Sequence, residues 1–502
     1  MKHLFFLFFV TVLSVTLSAQ GKIFEYGVAS GDPQQNSVVL WTKVSPKKKV
    51  EKTTVKWKVS TDRKMSNIIA EGIDTSYKSD DFTLSTLAKN LPADTWLYYQ
   101  FESFNELSDV GRTKTAPLDN SKPVHFAVVS CSRFEHGYYN VYKEIVDNNS
   151  VEAVLHLGDY IYEYSSSYDG EFAEGRYTRP EKEVISLTDY RTRYAHYRKD
   201  SNLRKLHQNF PTLHIWDDHE VANNSCTNSA LNHDPDVEGD YIDRINAAKK
   251  AFFEWLPVMS NEDCSIYRKI NYGKDINLIF LDTRLEERDE PSSRKKKFVS
   301  DTSRRMIGDK QFSWLTKQLS TDTNTWNILA QQVIFSPLKF MWVTANPDQW
   351  DGYLYERNRI CDYISQNDIR NLVVLTGDAH SSWANDIPMK GYRKRSGKNS
   401  LGVEFVTPSV TSDRAIPKYI FSGGVRLFNK HIKYLDLNIR GYIHLTIKED
   451  EMVNQFKYVN TVKKPSYEAF DGPTFNVKKG ERHLNKVKEY TTPKGNNPQL
   501  IK

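Results

Sequence analysis

The spacing of apolar and polar positions changes once along the chain. Between residue 22 and about residue 118 the period is two. VKWKVSTD and TWLYYQFES alternate apolar and polar side chains over strand-length windows. FEYGVASGDPQQNSVVLWTKV sets a Gly-Asp-Pro turn between two β-prone runs. Alternation puts successive side chains on opposite faces of a pleated ribbon, so these windows predict short strands covered on one side. Short strands with polar turns predict a small β-sandwich over 22–118. KTAPLDNSKP, polar and with two prolines, reads as the linker that ends it.

From Val124 the strands become continuously apolar: VHFAVVS, VEAVLHLGD, PTLHIWDDHE, INLIFLDTR, WNILAQQVIFSP and NLVVLTGDAH. GVEFVTPSVTS and GYIHLTI are β-like as well. Helical patterns lie between them. VYKEIV follows the first strand, and a longer stretch carries Tyr190, Tyr194 and Tyr197 at spacings of four and three. YIDRINAAKKAFFEWLP places Ile242, Ile245, Phe252 and Leu256 near helical period, with Pro257 as the stop. Recurring helices and buried strands predict an α/β or α+β domain over 119–462. Residues 463–502 read as a basic C-terminal extension.

Composition adds three limits. The opening MKHLFFLFFVTVLSVTLSAQGK has a positive start, a short apolar run and small residues at Ser18 and Ala19. That is the pattern of a signal peptide over 1–20, and it points to a secreted or periplasmic protein. The run is shorter than the roughly 20 residues a membrane span needs. The net charge of +6 is scattered, and the lysines after Lys463 are spread along the stretch rather than clustered, which reads as a solvated surface and not a nucleic-acid face. The four cysteines, Cys131, Cys226, Cys264 and Cys361, do not read as a disulfide framework, although Cys226 and Cys264 flank one insertion-like region and are open to pairing.

Candidate chemistry sits at the ends of the apolar strands. VHFAVVSCS ends in Cys131; VLHLGDYIYEY in Asp159, with Tyr162 three residues on; LHIWDDHE in Asp217, Asp218, His219 and Glu220; VVLTGDAH in Asp378 and His380. Each alone has an ordinary reading as a turn, a small buried thiol or a loop histidine. Together they predict one site, because ligands of open sheets gather at the carboxyl ends of strands. Four converging carboxylates repel unless a cation sits among them. Thiolate, phenolate and imidazole suit a transition metal, whereas carboxylates suit a hard ion. A mixed two-metal centre accommodates both sets.

SCSRF, GDYIYEY, the block from YRTRYAHYRKD to WDDHEVANN, LDTR and GDAHSS resemble the calcineurin-like metallophosphoesterases, and within them the PhoD-type alkaline phosphatases. YGVASGDPQQNSVVLWTKV resembles that family's N-terminal domain. The resemblance spans nearly the whole chain after the leader. It implies an α+β protein: an immunoglobulin- or fibronectin-like sandwich, then an αββα domain with a two-sheet core flanked by helices. It implies ferric iron on Cys131, Asp159, Tyr162 and His380, and calcium on Asp159, Asp218 and Asp378. Gln332 falls where the superfamily has a further ligand, either as an oxygen donor or as a buried amide. Asn223 and Asn224 are expected to help hold a further calcium.

The implied reaction is attack of a metal-activated water on a phosphate ester, with His219 as proton donor or transition-state stabiliser. Asp217 is expected to orient His219. Arg133 and Arg284, just after strand ends, are expected to contact phosphate oxygens. The implied function is a secreted phosphomonoesterase or phosphodiesterase. Phospholipase D-like and nucleotidase activities are the enzymatic alternatives, and a non-catalytic secreted binding protein is the remote one. Oligomeric state is not legible.

Overall fold

The computed structural model describes residues 22–168, 170–259, 264–291, 300–322, 325–340, 343–415, 422–491 and 497–501. The leader expected over 1–20 lies outside them. Two large sheets carry the molecule. At the centre of the first, Val124–Val129, Ala153–His156 and Pro211–His214 run parallel, with Phe126 opposite Ala153 and Val154 opposite Thr212. In the second, Ile276–Phe280, Trp326–Gln331, Leu372–Thr376 and Lys398–Val406 are likewise parallel in that order. Parallel neighbours end at the same edge, so the loops after these strands converge.

The period-two rule shows in the second sheet. Leu278, Phe280, Ile328, Ala330, Val373 and Leu375 join the same core as Val128, Leu155 and Leu213 of the first sheet. Their neighbours Ile279, Leu329, Leu372 and Val374 point the other way, into a core with Leu315, Ile360 and Ile364 of the helices Gly308–Gln318 and Leu354–Gln366. The three parallel strands of the first sheet are buried on both faces, which is why they read as unbroken apolar runs.

The helix expected around residue 241 is Tyr241–Trp255. Ile245, Phe252 and Trp255 are buried, but Ile242 is 47 % exposed and does not belong to the apolar stripe. The tyrosine-rich stretch is two helices, Leu187–Arg198 and Ser201–Asn209, broken where Asp200 caps the second by accepting from the backbone of Asn202 and Leu203.

The first hundred residues contribute to two sheets. Lys52–Ser60, Ile68–Tyr77, Trp96–Ser103 and two shorter strands form a sheet of their own. Val28–Gly31, Ser37–Lys43 and Thr83–Lys89 instead extend the first large sheet, because Ser30 pairs in parallel with Pro211. A side chain on Gly31 would meet the Pro257 carbonyl oxygen at 2.0 Å, so only glycine admits that approach. Next to it, Arg268 grips the buried Asp32 with two contacts of 2.7 and 3.1 Å. The stretch 463–502, expected as an extension, supplies strands Ala469–Lys478 and Asn485–Val487 at the other edge of the same sheet. All four cysteines are free; Cys226 is buried against Ser229 and does not pair with Cys264. No helix among the described residues is long and apolar enough to cross a membrane.

Candidate metal centre and active site

The strand ends meet where the two sheets touch. Ser130 bridges to Ser409 across the sheets. The backbones of Cys131 and Ser132 donate to the carbonyls of Gly158 and Asp159 at 3.2 and 2.9 Å. Cys131, Asp159, Asp378 and His380 all adopt the left-handed conformation, with φ between +50° and +60°. That region is unfavourable for residues with a Cβ, and its clustering here is what a built site shows. Gly158, at φ +96°, brings the Asp159 turn so close that a Cβ would lie 2.5 Å from the Asp217 backbone nitrogen.

Cys131, Asp159 and His380 bring a sulfur, a carboxylate oxygen and a ring nitrogen within 4.8 Å of one another. Tyr162 completes the group: its Oη donates to Asp159 Oδ2 at 2.8 Å, lies 3.1 Å from His380 Nε2 and accepts from Ser412 Oγ at 2.8 Å. His380 Nδ1 lies 2.5 Å from the Asp413 carbonyl oxygen. A carbonyl only accepts, so Nδ1 carries the proton and Nε2 offers a lone pair to the cluster. Burial, reinforced by the Asp159 charge, pushes Cys131 and Tyr162 well above their usual titration ranges. Bare, this set resists ionisation; a cation at its centre would reverse that. Thiol, phenol, imidazole and carboxylate together fit a transition metal.

Asp217, Asp218 and Asp378 form a second group within 4.8 Å. It holds a resident cation. Arg284, fully buried, directs Nε at Asp217, Nη1 at Asp348 (2.9 Å), and Nη2 at Asp378 and Asp218 (2.9 and 3.3 Å). The guanidinium expected on phosphate is thus engaged by carboxylates, since the turn after Ile276–Phe280 aims it beneath the cavity. Asp348 is steadied further by Arg288 at 2.5 Å. Burial pushes Asp378 up to about 6 against the pull of Arg284. Burial also raises Asp217, whereas in Asp218 it is outweighed by Arg284 and His219.

His219 is oriented by a residue other than the one expected. Its Nδ1 lies 2.8 Å from Glu163 Oε2, and Glu163 Oε1 accepts from the Asn223 backbone at 2.7 Å. Asp217 instead faces Arg284. Burial works against a charged His219, but Glu163 and Asp218 outweigh it and raise its pKa well above the usual value. Glu220 plays a third part. Its buried carboxylate accepts from the backbones of Asp159, Tyr160 and Asp217 at 2.9, 2.6 and 2.7 Å, tying two strand ends together.

Gln332 is a buried amide: its oxygen accepts from Thr283, and its nitrogen donates to the Trp216 and Leu281 carbonyls. Arg133 remains at the cavity, 5 % exposed, with Nη2 donating to the Tyr168 carbonyl at 2.7 Å. Asp159, Tyr162, Asp218, His219, Asp378, His380 and Arg133 line one cavity of about 1030 Å³, together with Asn223, Asn224 and Asp348. Glu163 and Glu220 stand inside motifs that the sequence displays, while Asp348 follows no strand pattern and carries no local signal.

Residues 126–456 match the family model of the PhoD-like phosphatases, and residues 11–117 match that of their N-terminal domain. Alkaline phosphatase D of Bacillus subtilis (strain 168) is 35 % identical over 495 residues, covering 94 % of this chain and 84 % of the relative. A solved structure of PhoD is 32 % identical, superposes with a TM-score of 0.85, and covers 93 % of this chain and 92 % of its own. With this architecture and this cluster of donors, the chain belongs to the PhoD-like phosphatase family of phosphoric-ester hydrolases.

Proposed function

We propose that the protein is an exported, metal-dependent phosphoesterase that hydrolyses phosphate monoesters, diesters or both. The observation that carries this reading is the meeting of a thiol–phenol–imidazole–carboxylate group with a carboxylate group in one cavity. On this reading Cys131, Asp159, Tyr162 and His380 would hold ferric iron, and Asp159, Asp218 and Asp378 calcium. Bound there, the cations supply Lewis-acid charge for the phosphate and a water of lowered pKa. The small N-terminal sandwich and the αββα catalytic layers belong to the same reading.

The chain's own residues do the rest. Cys131 is fully buried behind the cavity, so it serves as a donor and not as a nucleophile. His219, held at Nδ1 by Glu163, keeps Nε2 for the leaving oxygen and protonates it as the ester bond breaks. Arg133 offers its remaining N–H groups to the non-bridging oxygens.

The test is metal content by mass spectrometry on protein purified with calcium and without chelator. About one iron with one or more calcium ions per chain supports the assignment. Two zinc or manganese ions would keep the phosphoesterase and remove the iron–calcium centre. Parallel assays on mono- and bis-nitrophenyl phosphate decide between monoester and diester.

A further inference from the structure

One wall of the cavity is a run of rings. Tyr162 stacks on His219 with centroids 4.2 Å apart. Tyr164 meets His219 edge-on at 5.0 Å. Tyr168 stacks on Tyr164 at 4.0 Å with only 9° between the ring planes. The run leads from a metal-donor candidate, past the proton donor, to the mouth.

Its outer member is held in place. The Tyr168 carbonyl accepts from the buried Arg133 at 2.7 Å, and its hydroxyl accepts from Asn232 Nδ2 at 3.2 Å. The Arg133 guanidinium lies 4.9 Å from the Tyr164 ring centroid and 6.0 Å from that of Tyr168, bracing both. Yet Tyr168 remains 42 % exposed, and it lines the cavity. A large ring fixed at both ends and left open to a binding cavity costs little further order when a planar group stacks on it. Packing alone does not account for it, because burial would remove more of that ring from water.

We propose that Tyr168, backed by the buried ring of Tyr164, is a stacking platform for the leaving group, and that this group carries a planar aromatic ring of nucleobase type. This rests on the phosphoesterase reading, since it places the leaving group beside His219. Stacking of a base on a tyrosine is sequence-tolerant because every base has a π-face, so the platform selects a nucleoside without selecting the base. An acyclic alcohol or a bare sugar has no such face and loses the contribution.

The test compares adenosine 5′-monophosphate with ribose 5-phosphate, which leave through the same primary alcohol and differ at the anomeric carbon, where one carries the base and the other a hydroxyl. A matched pair, the methyl diesters of the same two compounds, covers a diesterase. Wild-type enzyme is expected to prefer the base-bearing member by about tenfold or more in kcat/KM. Tyr168→Ala is expected to collapse that ratio toward one, and Tyr168→Phe to keep it. Equal turnover of the two members by wild type would overturn the platform. So would a Tyr168→Ala variant that slows both members alike with the ratio intact, which marks a structural role. Failure to hydrolyse any of the four compounds, in protein that cleaves no nitrophenyl phosphate, would instead overturn the phosphoesterase reading beneath it.

Discussion

Replacing Glu163 by glutamine keeps the side chain's size and removes its charge. The Asn223 backbone keeps an acceptor, but the His219 ring loses the carboxylate that fixes its proton on Nδ1. Partners of this kind are worth roughly 10–100-fold in activity. We expect Glu163→Gln to lower kcat by that factor on alkyl esters and by much less on nitrophenyl esters, whose leaving oxygen needs no proton. Equal losses on both would show that the pair does not serve proton donation. Asp159→Ala is expected to abolish hydrolysis and metal binding together, because this carboxylate lies with Cys131 and His380 on one side and with Asp218 on the other; surviving activity would remove the two-metal scheme. Arg284 belongs to the same scale. Four carboxylates depend on one buried guanidinium, and breaking such a set costs roughly 3–5 kcal/mol. Arg284→Met should therefore lower the melting temperature sharply, and added calcium should restore more of it than in wild type.

At the scale of elements, the site depends on strands that end together and on turns that cross back closely. Gly158→Ala adds one carbon, which would lie 2.5 Å from the backbone and side chain of Asp217. Either the Asp159 turn or the Asp217 turn must move, so we expect metal content and activity to fall together while the helical circular dichroism stays. The parallel strands were legible because burial on both faces leaves an apolar run, and their ends were legible because chemistry follows directly in the chain. That signal picked out Cys131, Asp159, Tyr162, Asp218, Asp378 and His380, and the fold brings these side chains together. Which partner each side chain takes was not legible. Asp217 lies two positions from His219 in the chain but faces Arg284 across 67 positions, and Glu163 reaches His219 across 56. Such pairings are set by the register between strands and by the direction of each turn, neither of which leaves a periodic trace. Asp348 lies in a loop and enters only through the reach of two arginines.

For the whole molecule, acid is the condition that should matter most. His156, His207 and His214 stack on one another in the interior, and His125 packs on His444 between neighbouring strands. Burial holds His125 down at about 4, and His156 and His444 at about 3. These groups stay neutral in the folded protein while an unfolded chain begins to bind their protons near pH 6.5. The stability these histidines contribute is therefore full above pH 6.5 and falls as the pH drops toward 4. A melting temperature measured in chelator, to set metal loss aside, should decline steadily between pH 7 and pH 4. A His125→Gln, His444→Gln double variant should flatten part of that decline, and an unchanged slope would assign the acid sensitivity to other groups.

The pairing of Ser30 with Pro211 has a consequence in time. Synthesis proceeds from the N-terminus, yet Val28–Gly31 must wait for position 211 before its partner strand exists. Until then one edge of Val28–Gly31 has only water for its amides, and the loop to be closed is long. The early part of the chain cannot finish folding on its own, and its final assembly is tied to the same strand whose end carries Asp217 and Asp218.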